Sequence, residues 1–215
     1  MTNQKKATRQ YDSSRRKEQA RQTRRLLLEA ARDLFSTRGY AGATIEAIAD
    51  KAGVAPETVY AIYASKRNLL ANLIDVTVGG DKQPIQLLDR PSPLQVLQAE
   101  DQELQIELFS ADITAILHRI APLFPILRTA ANTEPEIADL LLELLESRWR
   151  NLAKFVQALS AHGPLREGVD PQQATDLVWT LSSPEIFNLL TRDRGHSGED
   201  FTRWLADALK RLLLP

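Results

Sequence analysis

The chain has 215 residues, 43% hydrophobic and 26% charged, with no cysteine and 3 histidines. That length can bury a core without staples, and the lack of cysteine excludes a disulfide framework and thiolate chemistry and favours a cytoplasmic setting. His118, His162 and His196 are not paired at short spacing, so neither a metal nor a cofactor is expected, and no apolar run approaches the roughly 18 residues of a membrane span.

The net charge of -1 conceals a segregation. Residues 1–75 carry 14 Lys+Arg against 8 Asp+Glu, and residues 76–215 carry 13 against 20, which places a basic head of +6 on an acidic body of -7. Such a layout suits a polyanion-binding head; a solvated basic tail with no particular partner has the same composition.

Leucine (33) and alanine (26) dominate while glycine is scarce (9), so an all-α protein is predicted. Residues 1–16, with Arg15 and Arg16 at their end, read as a flexible basic arm without apolar periodicity. From about Lys17 a helix is predicted, carried by Leu27, Ala30, Ala31, Leu34 and Phe35 and stopped at Gly39. Helices over 45–52, 56–63 and 66–78 follow, the last capped by Ser65. The break from Gly79-Gly80 through Pro84 to Pro91-Ser92-Pro93 sets the boundary near residue 80, giving a domain over 17–80 and a second over 81–215.

In the second domain, helices are predicted over about 93–99, 101–121, 123–131, 135–161, 171–191 and 198–214. Pro184 is expected to kink the helix over 171–191. Ser197 and Asp200 have the spacing of a capping box. Phe201, Trp204, Leu205, Ala208, Leu209, Leu212 and Leu213 form an unbroken apolar stripe on the last helix, which something must cover.

The informative stretch is Thr44 to Leu69. Two short helices meeting across a turn that contains glycine define a helix-turn-helix, and the residue types fit its packing. Ala49 is small where the helices approach, and Gly53 sits where a left-handed exit is needed. Ile45, Ile48, Ala52, Val54, Val59 and Ile62 face inward, and Pro56 suits the first position of the second helix. The wider pattern is Ala30, Ala31, Leu34, Phe35, Gly39 and Tyr40; then Thr44, Ile48, Ala49, Ala52, Gly53 and Val54; then Thr58, Val59, Tyr60, Tyr63, Ser65, Lys66 and Leu69. Over residues 23–69 it resembles the DNA-binding domain of the tetracycline-repressor (TetR) family of bacterial transcriptional regulators.

Chemistry assigns roles within this element. Thr44 can offer its hydroxyl and the amides at its helix start to a phosphate, or act as a helix cap. Pro56, Glu57, Thr58 and Ala61 would face base edges in the major groove, although Glu57 equally suits a first-turn carboxylate that favours the helix dipole. Tyr60 and Lys66 match the family's phosphate-binding pair, and Tyr63 joins the DNA-side candidates. The sequence departs from the family habit at Ala55, where a capping serine is common, at Ala61 and Ile62, at Tyr63, where phenylalanine is usual, and at Arg67. Arg15, Arg16, Arg21 and Arg24 could enter an adjacent minor groove or supply nonspecific phosphate attraction.

The resemblance further implies a homodimer on a palindromic operator of double-stranded DNA, released by a small-molecule effector. Leu177, Val178, Leu181, Phe201, Trp204, Leu205, Ala208 and Leu212 are the dimer-interface candidates; packing within their own domain is the other reading of that stripe. The helix over 101–121 has one apolar face (Ile106, Phe109, Ile113, Ile116, Ile120) and a second nearly opposite (Leu104, Leu108, Ala111, Ala115), as expected of a helix covered on both sides. Phe109, His118, Arg128, Trp149 and Trp179 are candidate effector contacts, each also readable as a packed structural residue. A nonspecific DNA-binding protein relying on its basic arm is the alternative function. An all-helical enzyme is disfavoured, because no cysteine, paired histidine or glycine-rich phosphate loop is present.

Overall fold

The computed structural model describes the backbone of residues 4–80 and 86–215 and the side chains of residues 14–80 and 86–215. Pro84 and the side chains of residues 1–13 lie outside the described residues. Among those described the chain is helical, with no strand. It divides into two compact units, Met1–Leu73 and Ile74–Pro215, and the division falls inside a helix, ahead of the glycine and proline break.

The first unit is built from α1 (Gln4–Gly42), α2 (Ile45–Ala52), α3 (Pro56–Tyr63) and the first part of α4 (Lys66–Gly79). α1 begins at Gln4, so the arm expected over residues 1–16 is helical from there, and the start predicted near Lys17 is corrected. The reason is propensity: between Gln4 and Gln22 there is neither glycine nor proline, and Gln, Lys, Arg and Ala predominate. Residues 14–22 are all exposed, so apolar periodicity had nothing to register there. Downstream, Leu27, Ala30, Ala31, Leu34 and Phe35 are buried and form the face of α1 that packs on α2. Helical geometry is lost at Gly39 (φ 68, ψ 179), a backbone state that favours glycine.

In the second unit α5 (Pro91–Gln98), α6 (Gln102–Ile120), α7 (Phe124–Ala131), α8 (Pro135–Ala161), α9 (Pro171–Leu181), α10 (Pro184–Asn188) and α11 (Gly198–Leu213) surround a core that includes Ile106, Phe109, Ile137, Phe155, Val178 and Phe201. Phe109 stacks on Phe155 with ring centroids 4.1 Å apart, and Phe187 meets the edges of His118 and Phe201 at 5.0 Å each. Asp101, Asp170, Ser183 and Ser197 each cap a helix start with a side-chain oxygen. Two of these are full capping boxes, Asp170 with Gln173 and Ser197 with Asp200.

Two expectations are corrected here. Pro184 ends the helix predicted over 171–191 instead of kinking it: α9 stops at Leu181, Ser183 caps α10, and Leu189–Asp193 forms a wider π turn. A proline at the first position of a new helix has no N–H to leave unpaired, so a restart is the easier solution. The second apolar face of α6 is not fully covered either, since Leu104 is 47% exposed and Ala111 and Ala115 are exposed in the chain.

Candidate nucleic-acid interface and effector cavity

Thr44 Oγ1 accepts from the Ala47 amide at 3.1 Å and thereby caps α2, which leaves the hydroxyl proton of this exposed residue able to donate outward. Gly53 takes the left-handed state (φ 69, ψ 36), and the chain turns with the Val54 amide donating to Ala49 O at 3.0 Å. Ala55 holds the extended conformation of a cap but offers no side-chain bond to α3.

α3 presents two faces. Val59 and Tyr63, one turn apart, are buried; Glu57, Tyr60 and Ala61 are exposed, and Pro56 and Thr58 are half-buried between them. Tyr60 is 50% exposed, a large aromatic left in solvent on a helix of eight residues. Tyr63 is corrected from a DNA-side candidate to a core residue. It shares the face of Val59, its hydroxyl is buried without a hydrogen-bond partner among the described residues, and burial raises its pKa against a smaller lowering by Arg24. Its spacing of four from Val59 already carried that information.

Lys66 is committed inside the unit. Its ammonium donates to the Tyr40 carbonyl at 3.0 Å and stands 4.0 Å from the centre of the Tyr40 ring. Arg15, Arg16, Arg21 and Arg24 are exposed along α1, and Arg21 lies 3.7 Å from Glu18. The basic residues therefore extend along one long helix beside the helix-turn-helix sequence.

Within the second unit lies a cavity of about 440 Å³. Its walls are mainly apolar: Ile74 and Val78 of α4, Ile113, Ile116 and Ile120 of α6, Leu123, Phe124 and Leu127 at α7, and Leu144, Leu145 and Leu152 of α8. Arg148, Asn151, Ser147, Lys154, Gln86, Asp75 and Asp89 supply its polar lining. The apolar face of α6 from Ile113 to Ile120 thus meets the cavity. None of the candidate effector contacts lines it, and each is engaged elsewhere. Phe109 is stacked in the core; His118 lies against Phe187. Arg128 pairs with Glu185 at 2.6 Å, Trp149 donates to Asp176 at 2.8 Å, and Trp179 lies under the Arg148 guanidinium at 5.3 Å. Tryptophans and charged residues stood out in the sequence, whereas Arg148, one position before Trp149, carried no signal beyond its place on α8.

Arg148 donates through Nη2 to Trp179 O at 2.7 Å and to Ser182 Oγ at 2.9 Å. Desolvation lowers its pKa to about 10, against an opposing pull from Glu185. Arg119 of α6 donates to two of the last carbonyls of α4, Thr77 O at 2.9 Å and Val78 O at 2.8 Å.

The expected dimer stripe is divided. Phe201, Leu205, Leu209, Leu213 and Val178 are fully buried within the chain, so Phe201, Leu205 and Val178 are corrected to core residues. Leu212 is 39% exposed, and Trp204, Ala208, Leu177 and Leu181 are half-buried. With seven apolar residues, the α11 stripe is wide enough for one edge to fill the core and the other to stay uncovered.

Residues 27–73 match the family model described as bacterial regulatory proteins, tetR family. No curated protein matches the sequence. Over 92% of this chain and 98% of the other, the fold is similar to that of NalD, the secondary repressor of the MexAB-OprM multidrug efflux pump in Pseudomonas aeruginosa, with a TM-score of 0.66 and 22% identity. It is similar too to a TetR transcription regulator from Haloarcula marismortui, over 90% of this chain and 99% of that one, with a TM-score of 0.63 and 18% identity. In the described residues no single helix is long and apolar enough to cross a membrane. Over residues 27–73, which span its helix-turn-helix, the chain carries the DNA-binding module of the bacterial tetR-family regulators.

Proposed function

We propose that the protein is a transcriptional repressor that binds a palindromic operator as a homodimer and leaves it when a small molecule occupies the cavity of the second unit. The observation that carries the DNA-binding half is the division of α3 into a buried face, Val59 and Tyr63, and an outward face, Glu57, Tyr60 and Ala61, behind a left-handed turn at Gly53. A short helix held from one side offers the other to base edges. Glu57 accepts from cytosine N4, Thr58 and Ala61 touch thymine methyls, and Thr44 and Tyr60 hold phosphates. Arginines along α1 add attraction for the backbone.

The apolar cavity supports the effector half, and the uncovered edge formed by Trp204, Ala208 and Leu212 with Leu177 and Leu181 supports the dimer, since two-fold pairing presents the same strip from both copies. NalD, with a similar fold, is named as a repressor. The test is binding of the purified chain to the DNA upstream of its own coding region against a scrambled duplex of equal length, over a range of salt. A preference of about 10³ or more is expected at moderate salt. Equal affinity for both duplexes would instead establish a nonspecific DNA-binding protein.

A further inference from the structure

We propose that the cavity takes an apolar molecule bearing one carboxylate, and that Arg148 selects its charge. The proposal rests on the reading of the second unit as the effector-binding half. Most of the wall is aliphatic, which favours an apolar body and gives it no direction. Direction comes from the charged groups, and these are not equivalent. Asp75, Asp89 and Lys154 are exposed, where water screens them. Arg148 is half-buried between α8 and α9 and has Trp179 beneath its guanidinium.

Only Nη2 of Arg148 is hydrogen-bonded, and its remaining N–H groups are uncommitted among the described residues. The nearby Glu185 makes no hydrogen bond to them, and one of its oxygens accepts from Arg128 at 2.6 Å. A half-buried guanidinium with unused Nε–H and Nη1–H donors on an aliphatic cavity favours an anionic acceptor, and a carboxylate takes a charge-assisted bond from one of them. A cationic ligand would place like charge against it.

The full-length chain is titrated with decanoate, decan-1-ol and decylammonium by calorimetry and by tryptophan emission, with Trp179 reporting locally. Decanoate is expected to bind at least roughly tenfold more tightly than decan-1-ol, and decylammonium most weakly. Arg148→Met is expected to bring decanoate down to the affinity of decan-1-ol while leaving the alcohol unchanged, and Arg148→Lys to retain part of the preference. Ile116→Trp, which fills the cavity from α6, is expected to abolish binding of both. Equal binding of alcohol and acid, preference for the ammonium, or a preference surviving in Arg148→Met overturns the proposal. If Arg148→Met does not fold, the three-probe comparison and Ile116→Trp still decide it. Arg148-dependent binding of decanoate that leaves operator affinity unchanged upholds the ligand class and sinks the effector reading. Absence of binding by every probe overturns the ligand class while DNA recognition is judged separately.

Discussion

Lys66 holds Tyr40 twice, through a hydrogen bond to its carbonyl at 3.0 Å and through its ring at 4.0 Å, and so ties the first turn of α4 to the end of α1 just beyond Gly39. Two contacts from one ammonium make this lysine a structural residue before any DNA arrives. Lys66→Met should destabilise the first unit by about 1–3 kcal/mol in urea unfolding. It should also lower operator affinity while changing the slope of log affinity against log salt by less than one phosphate's worth. A full loss of one ion from that slope would show that the lysine neutralises a phosphate as well.

The turn and the end of the recognition element bear opposite backbone strains. Gly53 has a positive φ of 69° with nothing near the site of an added Cβ, so Gly53→Ala should cost about 1–2 kcal/mol through backbone conformation alone. Ala64 has a φ of 62° without being glycine, so Ala64→Gly should stabilise by about 1 kcal/mol. Urea midpoints of both variants check the pair, and a shift of the same sign in both would contradict the argument.

Asp200 accepts from the Ser197 hydroxyl at 2.7 Å and amide at 3.0 Å and pairs with Arg203, and these bonds hold its carboxyl at about 2 instead of the usual 3.8. Because the folded state favours the charged form, the contribution is complete above about pH 4 and disappears as pH falls towards 2. Asp200→Asn should be less stable than the parent at neutral pH, and the difference should close across that window in acid unfolding. A difference constant down to pH 2 would assign the effect to something other than this ionisation.

Ala208 lies on the uncovered edge of α11, with Trp204 and Leu212 on the turns either side. Ala208→Glu should leave helix content intact and shift sedimentation from dimer to monomer, because pairing of this strip would bury an unpaired carboxylate in each copy at a cost of several kcal/mol. A variant that remains dimeric would move the interface elsewhere.

Much of this was legible in the sequence because short-range rules governed it. Thr44, Gly53 and Ser65 are caps or exits whose chemistry lies within a few residues, and the structure places α2 and α3 over the predicted ranges. Where longer contacts decided, the reading failed. Tyr63 is the exception, a local misreading, since its period with Val59 placed it inside. Phe201 and Leu205 could not be divided from Leu212 without knowing that α6 packs against α11. The cavity was anticipated through aromatic and charged residues, but it is bounded mainly by aliphatic ones, and Arg148 became informative only once the Trp179 carbonyl and Ser182 were brought to it at the end of α9.

The two bonds from Arg119 act like the pins of a plug. A single bond would let the partners swivel, whereas two from one planar group to consecutive carbonyls set both separation and rotation. Sliding α6 along its axis by even the rise of one residue, about 1.5 Å, would pull both pins together. Helix α6 and the last turn of α4 are accordingly held in one register by a single side chain.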